Sequence, residues 1–411
     1  MRKTAQENQI FESSWIMLGC AWLLGFAMFA PMLCIPPIEH ILKEVLRVSH
    51  AQVGLLFSMP IITLVAIAIP AGYLADRLGT RKAVGMGAII LAVGCLMRGG
   101  AATFETLLCF TCLYGVGFGF IFPNLPKLVG SWFPREKAAL VTGIYSTGIT
   151  TGSAIALAIT LPVVFRATHT VQGTFLIWST PAVVAAFLWW MVAKDPPLQS
   201  PDKGKAAQAR QDIHLSPHIW RNKNLWLIAL MLFLNNVHFY TWSGWTPTLM
   251  IMKGASPNVA ALIASVRGWT SLSVMFLMPW ASHRIGLRKP FLWSSAFLLA
   301  FAAWSAMYIP VPLGWPLMIL VGVTVGGTFS MILGLPVEIT SKQSVGKASG
   351  MVLFIGYIGG LIGPWLAGHI LDVTGTLDLA FMILIGTAIV WAFITFLIPE
   401  TGHRANVRKS S

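Results

Sequence analysis

The sequence predicts an all-α membrane protein with twelve transmembrane helices in two pseudo-symmetric six-helix bundles. Three observations lead there: a shortage of charge, twelve apolar runs of membrane-crossing length, and a repeat half the chain long. Of the 411 residues, 56% are hydrophobic and 10% charged, and the mean hydropathy is +0.74. A soluble chain carries roughly a quarter charged residues, so most of this surface must face something other than water. The 17 Trp and 24 Phe suit rings that settle at the two membrane interfaces.

A helix needs about 20 apolar residues to cross the hydrocarbon core. Such runs fall at 14–37, 50–75, 83–103, 105–128, 138–164 and 172–193. They resume at 223–249, 257–282, 290–309, 312–336, 346–371 and 378–399. The first is too long for a signal-peptide core and is expected to stay as a helix. Residues 194–222 carry Lys203, Lys205 and Arg210 with little apolar periodicity. They are read as a cytoplasmic linker, with room for one surface helix, between an N-terminal bundle (1–193) and a C-terminal bundle (223–411).

Charge placement sets the orientation. Putting both termini in the cytoplasm leaves 22 of the 28 Lys and Arg on that side. Only Lys43, Arg47, Arg98, Arg166 and Lys253 then belong to the outer loops. The net charge of +14 is thereby a topology signal, and nucleic acid is not an expected partner. Cys20, Cys34, Cys95, Cys109 and Cys112 lie in apolar runs and read as small hydrophobes without a disulfide framework. No metal or cofactor is expected. Nor is an enzyme, because nucleophile–base pairs, metal clusters and phosphate-binding glycine loops are missing at useful spacing.

The repeat shows first in two loops. Residues 72–82 read GYLADRLGTRK and residues 279–289 read PWASHRIGLRK. At an offset of 207, Arg77/Arg284, Gly79/Gly286, Arg81/Arg288 and Lys82/Lys289 coincide. Gly115/Gly322, Gly119/Gly326 and Phe122/Phe329 keep that offset, and Gly148/Gly356 and Gly152/Gly360 follow at 208. Two fused six-helix bundles account for such a repeat.

GYLADRLGTRK resembles the signature loop of the major facilitator superfamily, and its weaker copy stands where that family places one. GGLIGPWLAGHILDVTG (359–375) is similar to the superfamily's eleventh helix and following turn. GFGFIFPNLPKLVGSWFPREKAALVTGIYSTG (117–148) resembles that region of cyanate-permease-like and nitrate/nitrite-porter-like members. The resemblance implies a secondary transporter of the cytoplasmic (inner) membrane, monomeric as is usual for the fold. It also implies gating: Asp76 would lock the two halves on the cytoplasmic side by accepting hydrogen bonds from a neighbouring helix N-terminus. Gly72, Arg77, Gly79 and Arg81 complete the first gating loop, and Arg284 and Arg288 belong to the second. The arginines serve equally well as topology determinants. His283 replaces the aspartate in the second copy, so that lock is expected to be weaker or pH-sensitive.

Ionisable residues inside the helices are scarce, so each is informative. Arg267 stands about ten residues into the eighth helix, roughly 15 Å deep, with no acidic residue at that depth elsewhere. An anionic substrate is its expected partner; the alternative is satisfaction by helix carbonyls and water. Asn235, Asn236 and His238 in the middle of the seventh helix are expected to form a cavity wall, since facing lipid would be costly. His238 is either a proton carrier or a plain hydrogen-bonding group. Tyr145, Trp242, Trp269 and Tyr357 line the same cavity or serve as packing.

Nitrate porters of the superfamily are expected to carry an arginine in each half, whereas Arg267 here aligns with Pro60. A single cation suits a small monovalent, monocarboxylate-type anion. The leading expectation is therefore anion transport by alternating access, as proton symport or anion exchange. Drug/proton antiport is the alternative. Such proteins usually have an Arg in helix four and a G-x-x-x-G-P run in helix five, where this chain has Thr111 and GITTG (148–152). A receptor on the same fold is the third reading, and it would normally need an appended soluble domain.

Overall fold

A computed structural model describes residues 2–133, 138–195, 220–340 and 345–402. Most of the expected linker, with Lys203, Lys205, Arg210 and its surface helix, lies outside the described residues. Among the described residues, twelve helices are long and apolar enough to cross a membrane. They are α1 (Ser13–Leu46), α2 (His50–Leu78), α3 (Thr80–Arg98), α4 (Phe104–Trp132), α5 (Leu140–Thr168) and α6 (Val171–Val192). The second six are α7 (Lys223–Met252), α8 (Pro257–Ile285), α9 (Lys289–Tyr308), α10 (Val311–Ile339), α11 (Lys347–Thr374) and α12 (Asp378–Leu397). Each answers to one apolar run, and no strand occurs among the described residues.

Helix ends follow local chemistry. Ser49 and Gln52 form a reciprocal capping box at the start of α2, as Thr103 and Thr106 do for α4. Ser256 caps α8, with Pro257 in its first turn. The turns into α3 and α9 are made at Gly79 and Gly286, with φ of +89° and +80°. An L side chain is strained there, which explains why glycine occupies this position in both copies of the loop.

One apolar core gathers residues of α1–α6 and a second gathers residues of α7–α12. Phe239 and Leu353 pack against both, so they mark the seam. The repeat is visible in single contacts. A Cβ on Gly115 would collide with Thr63 and Pro60, and one on Gly322 would collide with Thr270 and Arg267. Gly119 likewise lies against Leu64 and Gly326 against Ser271. The α2–α4 and α8–α10 crossings are thus one small-residue contact made twice. Pro60 and Arg267 hold equivalent places in it.

The halves meet along α2–α11 and α5–α8. Gly54 admits the Pro364 carbonyl, Gly368 admits the His50 carbonyl, and Gly268 lies on Ala154. We term the face that carries the first and last described residues the terminal face, and the opposite one the distal face. The α2–α11 contacts from His50–Gly368 to Ser58–Gly360 occupy the distal part of the seam. Nearer the terminal face, a Cβ on Gly72 or Gly350 would enter open space.

Gly359 sits so close to Phe233 that an added Cβ would fall 2.1 Å from its carbonyl oxygen. Gly359→Ala is expected to destabilise the protein by about 1–3 kcal/mol through overpacking of α7 on α11. Gly386→Ala, with nothing within 4 Å of the new carbon, should not lower the midpoint. Thermal unfolding in detergent compares the two.

Candidate functional site

Arg267 lies where α8 crosses three neighbours. Its guanidinium carbon is 4.4 Å from the ring centre of Phe239 in α7. Its backbone lies against Gly322 of α10, and the next residue, Gly268, meets Ala154 of α5. The side chain is 1% exposed, and no ion pair reaches it among the described residues. Nε and Nη2 have no hydrogen-bond partner among the described residues. These two nitrogens form one side of the guanidinium fork, the edge that takes both oxygens of a carboxylate. Helix carbonyls do not fill it.

A chain of phenols leads away from Arg267. Tyr240 interacts electrostatically with Arg267, and Tyr357 interacts with Tyr240 and Tyr145. Tyr357 also meets Phe122 edge-on at 5.4 Å. Tyr240 and Tyr357 belong to the second half yet pack into the core of the first. Tyr145 and Tyr357 therefore lie at the seam. Phe239 and Tyr240 were not singled out in the sequence. Their one sequence signal is adjacency: residues 238, 239 and 240 point in three directions about 100° apart, and the latter two face the seam.

Other expectations change. Asn235, Asn236 and His238 do not share a wall. The Asn235 amide donates to the Val325 carbonyl and Thr328 Oγ1 of α10, at 3.3 and 3.0 Å. Asn236 donates to the Gly356 carbonyl of α11 at 3.0 Å. His238 Nε2 lies 3.2 Å from Thr387 Oγ1 of α12. All three are buried and together tie α7 to three helices of its own half. Trp269 is 43% exposed; two residues from Arg267 is about 200° around a helix, so it faces away from the site. Trp242 packs edge-on against Phe381 at 4.9 Å, inside the second core.

The gating loops lie at the terminal face. Asp76 accepts from Lys127 Nζ at 2.9 Å, a partner in its own half rather than a helix N-terminus across the seam. Arg81 pairs with Asp195 at 3.3 Å, and Arg288 with Glu338 at 2.8 Å. Arg77 lies over the Tyr73 ring and Arg284 over the Trp280 ring. Arg98, expected at the outer interface, is 1% exposed. It donates to the Pro31 carbonyl at 2.8 Å and covers the Phe175 ring, so its charge sits at the C-terminal end of the first stretch of α1.

The polar residues of α7 are thus a clamp in the geometry described. Asn235→Ala is expected to cost about 1–3 kcal/mol, because it strips partners from buried polar groups. Ligand-induced stabilisation should persist in that variant. Thermal scans with and without ligand measure both.

The family model described as Major Facilitator Superfamily matches residues 17–256 and 249–411. The cyanate transport protein of Escherichia coli is 24% identical over 369 residues, 89% of this chain and 93% of that protein. A 2-nitroimidazole transporter of Escherichia coli is 26% identical over 84% of this chain and 86% of its own length. A hexuronate transporter of Bacillus subtilis is 24% identical, covering 89% and 90%. Among solved structures, a D-xylose–proton symporter superposes with a TM-score of 0.79 at 15% identity, over 94% of this chain and 98% of that one. That likeness concerns the fold. The protein is a multi-pass integral membrane transporter and not an enzyme: the chain belongs to the Major Facilitator Superfamily.

Proposed function

We propose that the protein carries a small monovalent anion, of monocarboxylate type, across the cytoplasmic membrane by alternating access, with Arg267 as the anion-binding group. One observation carries this reading: a buried guanidinium at the seam of the two halves presents an unfilled bidentate edge. A lone buried cation is costly, and a substrate carboxylate or oxyanion supplies the missing charge and both acceptors. Tyr240 adds a hydroxyl near it, with Tyr357 and Tyr145 next in the chain of phenols, and the Phe239 ring lies against the guanidinium. A cyanate and a hexuronate transporter among the relatives support an anionic cargo.

The terminal face is the cytoplasmic one in this reading, on the basic residues gathered there. The chain then divides at the linker 194–222 into two bundles that rock about the Arg267 level. Asp76, Arg77, Gly79 and Arg81, with Arg284 and Arg288, act at the cytoplasmic gate. Asp76 exchanges its Lys127 contact for a cross-seam one when that gate closes. The coupling is proton symport or anion exchange. His238, enclosed between α7 and α12, is a poor proton route to the seam.

A second reading has its own support. The aromatic surround and the 2-nitroimidazole transporter among the relatives suit a neutral, planar heteroaromatic cargo.

Thermal stabilisation of the detergent-solubilised protein separates these. Cyanate, nitrate, formate, lactate and aromatic carboxylates are compared with 2-nitroimidazole and cationic dyes. A ligand at 100 times its dissociation constant adds about 2.7 kcal/mol. An anion should shift wild type and leave Arg267→Ala unmoved, with Arg267→Lys intermediate because a lysine has no fork. Stabilisation by neutral or cationic compounds alone, indifferent to Arg267, would reject the anion reading.

A further inference from the structure

The distal face holds ionic groups that the anion site does not use. Glu39, just past the turn at Pro36–Ile38, is 3% exposed. Its Oε1 accepts from His50 Nδ1 at 2.6 Å, and its Oε2 accepts from the Thr248 hydroxyl of α7 at 3.2 Å. Lys43 Nζ lies 2.5 Å from the other ring nitrogen of His50. The contact to Thr248 crosses the seam.

The start of α2 is tied across the seam more firmly. The first four N–H groups of a helix have no acceptor within its own turns; counted from the capping residue of α2 they belong to Ser49, His50, Ala51 and Gln52. Ser49 and Gln52 satisfy each other, Ser49 N donating to Gln52 Oε1 at 2.8 Å and Gln52 N to the Ser49 hydroxyl at 3.2 Å. The two between them donate to the opposite half. His50 N and Ala51 N reach Oδ1 and Oδ2 of Asp372 at 2.8 and 2.7 Å.

Asp372 stands in the last turn of α11, which ends at Thr374. A carboxylate there faces the negative end of its own helix dipole and is disfavoured. At the positive end of α2 it is favoured. The residue is therefore misplaced within its own half and well placed only when the other half is docked. The related seam lacks the device: α8 opens with Ser256–Pro257, where Pro257 has no N–H to offer, and Val164 stands at the place related to Asp372.

We propose that Asp372 and Glu39 form a charge latch that holds the distal gate shut during the transport cycle. Asp372 grips the N-terminus of α2, Glu39 grips Thr248 of α7, and both contacts must break for the distal side to open. The latch rests on the alternating-access reading and is independent of the cargo.

The test reads the gate without ligand. In a background free of cysteine, spin labels are placed at Val45 and Thr376, exposed positions on opposite halves at the distal face. Double electron–electron resonance in lipid nanodiscs should show one main short distance for the otherwise unaltered protein. Asp372→Asn should raise the ratio of long- to short-distance populations by about two- to fivefold, as expected for a charge taken from an exposed helix N-terminus, and Glu39→Gln should raise it in the same direction by weakening the Thr248 and His50 contacts. Asp372→Glu should restore the short distance, which a purely structural loss would not allow. If Asp372→Asn does not fold, His50→Pro gives α2 the opening of α8 and should act the same way. Unchanged distributions in folded variants overturn the latch. Failure of every anion in the stabilisation screen would remove the anion reading and leave this result standing.

Discussion

Inside hydrocarbon no water is at hand to take up a stray backbone N–H or C=O, and each one left over costs several kcal/mol. That constraint makes the protein helical, and it also decides what happens wherever a helix ends or breaks. The first stretch of α1 stops at Leu33, and among its last carbonyls that of Pro31 is met by the Arg98 guanidinium and that of Ala30 by the Cys34 N–H. Pro364 removes the N–H that would bond the Gly360 carbonyl, and the Ser58 hydroxyl of the opposite half turns to that carbonyl at 3.5 Å. The Pro364 carbonyl is in turn taken by the Trp245 indole at 2.9 Å. Junctions between helices are therefore also places where backbone needs are met.

The same logic explains how much could be read from sequence. Twelve apolar runs and a repeat at 207 give helix number, order and the two-bundle plan, because length and period are local properties. Gly79/Gly286 and Gly115/Gly322 were legible because a positive φ and a close helix crossing each demand glycine. The facing of a polar side chain is not local. Asn235, Asn236 and His238 read as one polar patch, yet their partners on α10, α11 and α12 are each about 90 or more residues away in the chain. Arg98 was placed by its distance from a helix end, which says nothing of the Pro31 carbonyl that holds it. The Asp372 contact spans 322 residues, a separation that no local pattern records.

Two halves built on one plan need not share one chemistry. The α4 crossing that holds Pro60 and the α10 crossing that holds Arg267 have the same geometry, enforced by Gly115 and Gly322. Small residues fix the separation of the helices while leaving the neighbouring position open to any residue that fits. One copy spends it on proline, which bends the chain and frees a carbonyl. The other spends it on a guanidinium, whose charge is tolerable only where a counter-charge can arrive.

The same division holds at the distal ends. Ser49 and Ser256 cap equivalent helices, but His50 offers an N–H where Pro257 offers none. A bundle pair that rocks needs one packing surface that slides and another that lets go. The α5–α8 seam, with Gly268 on Ala154 and Gly143 against Phe276, is apolar and changes little in energy with a small displacement. The α2–α11 seam carries two directed hydrogen bonds to a charge, which are either made or lost. Directed contacts of that kind, set against a smooth partner seam, favour two discrete arrangements over a continuum. Symmetry supplies the hinge, and its breaking at Arg267 and Asp372 supplies the site and the switch.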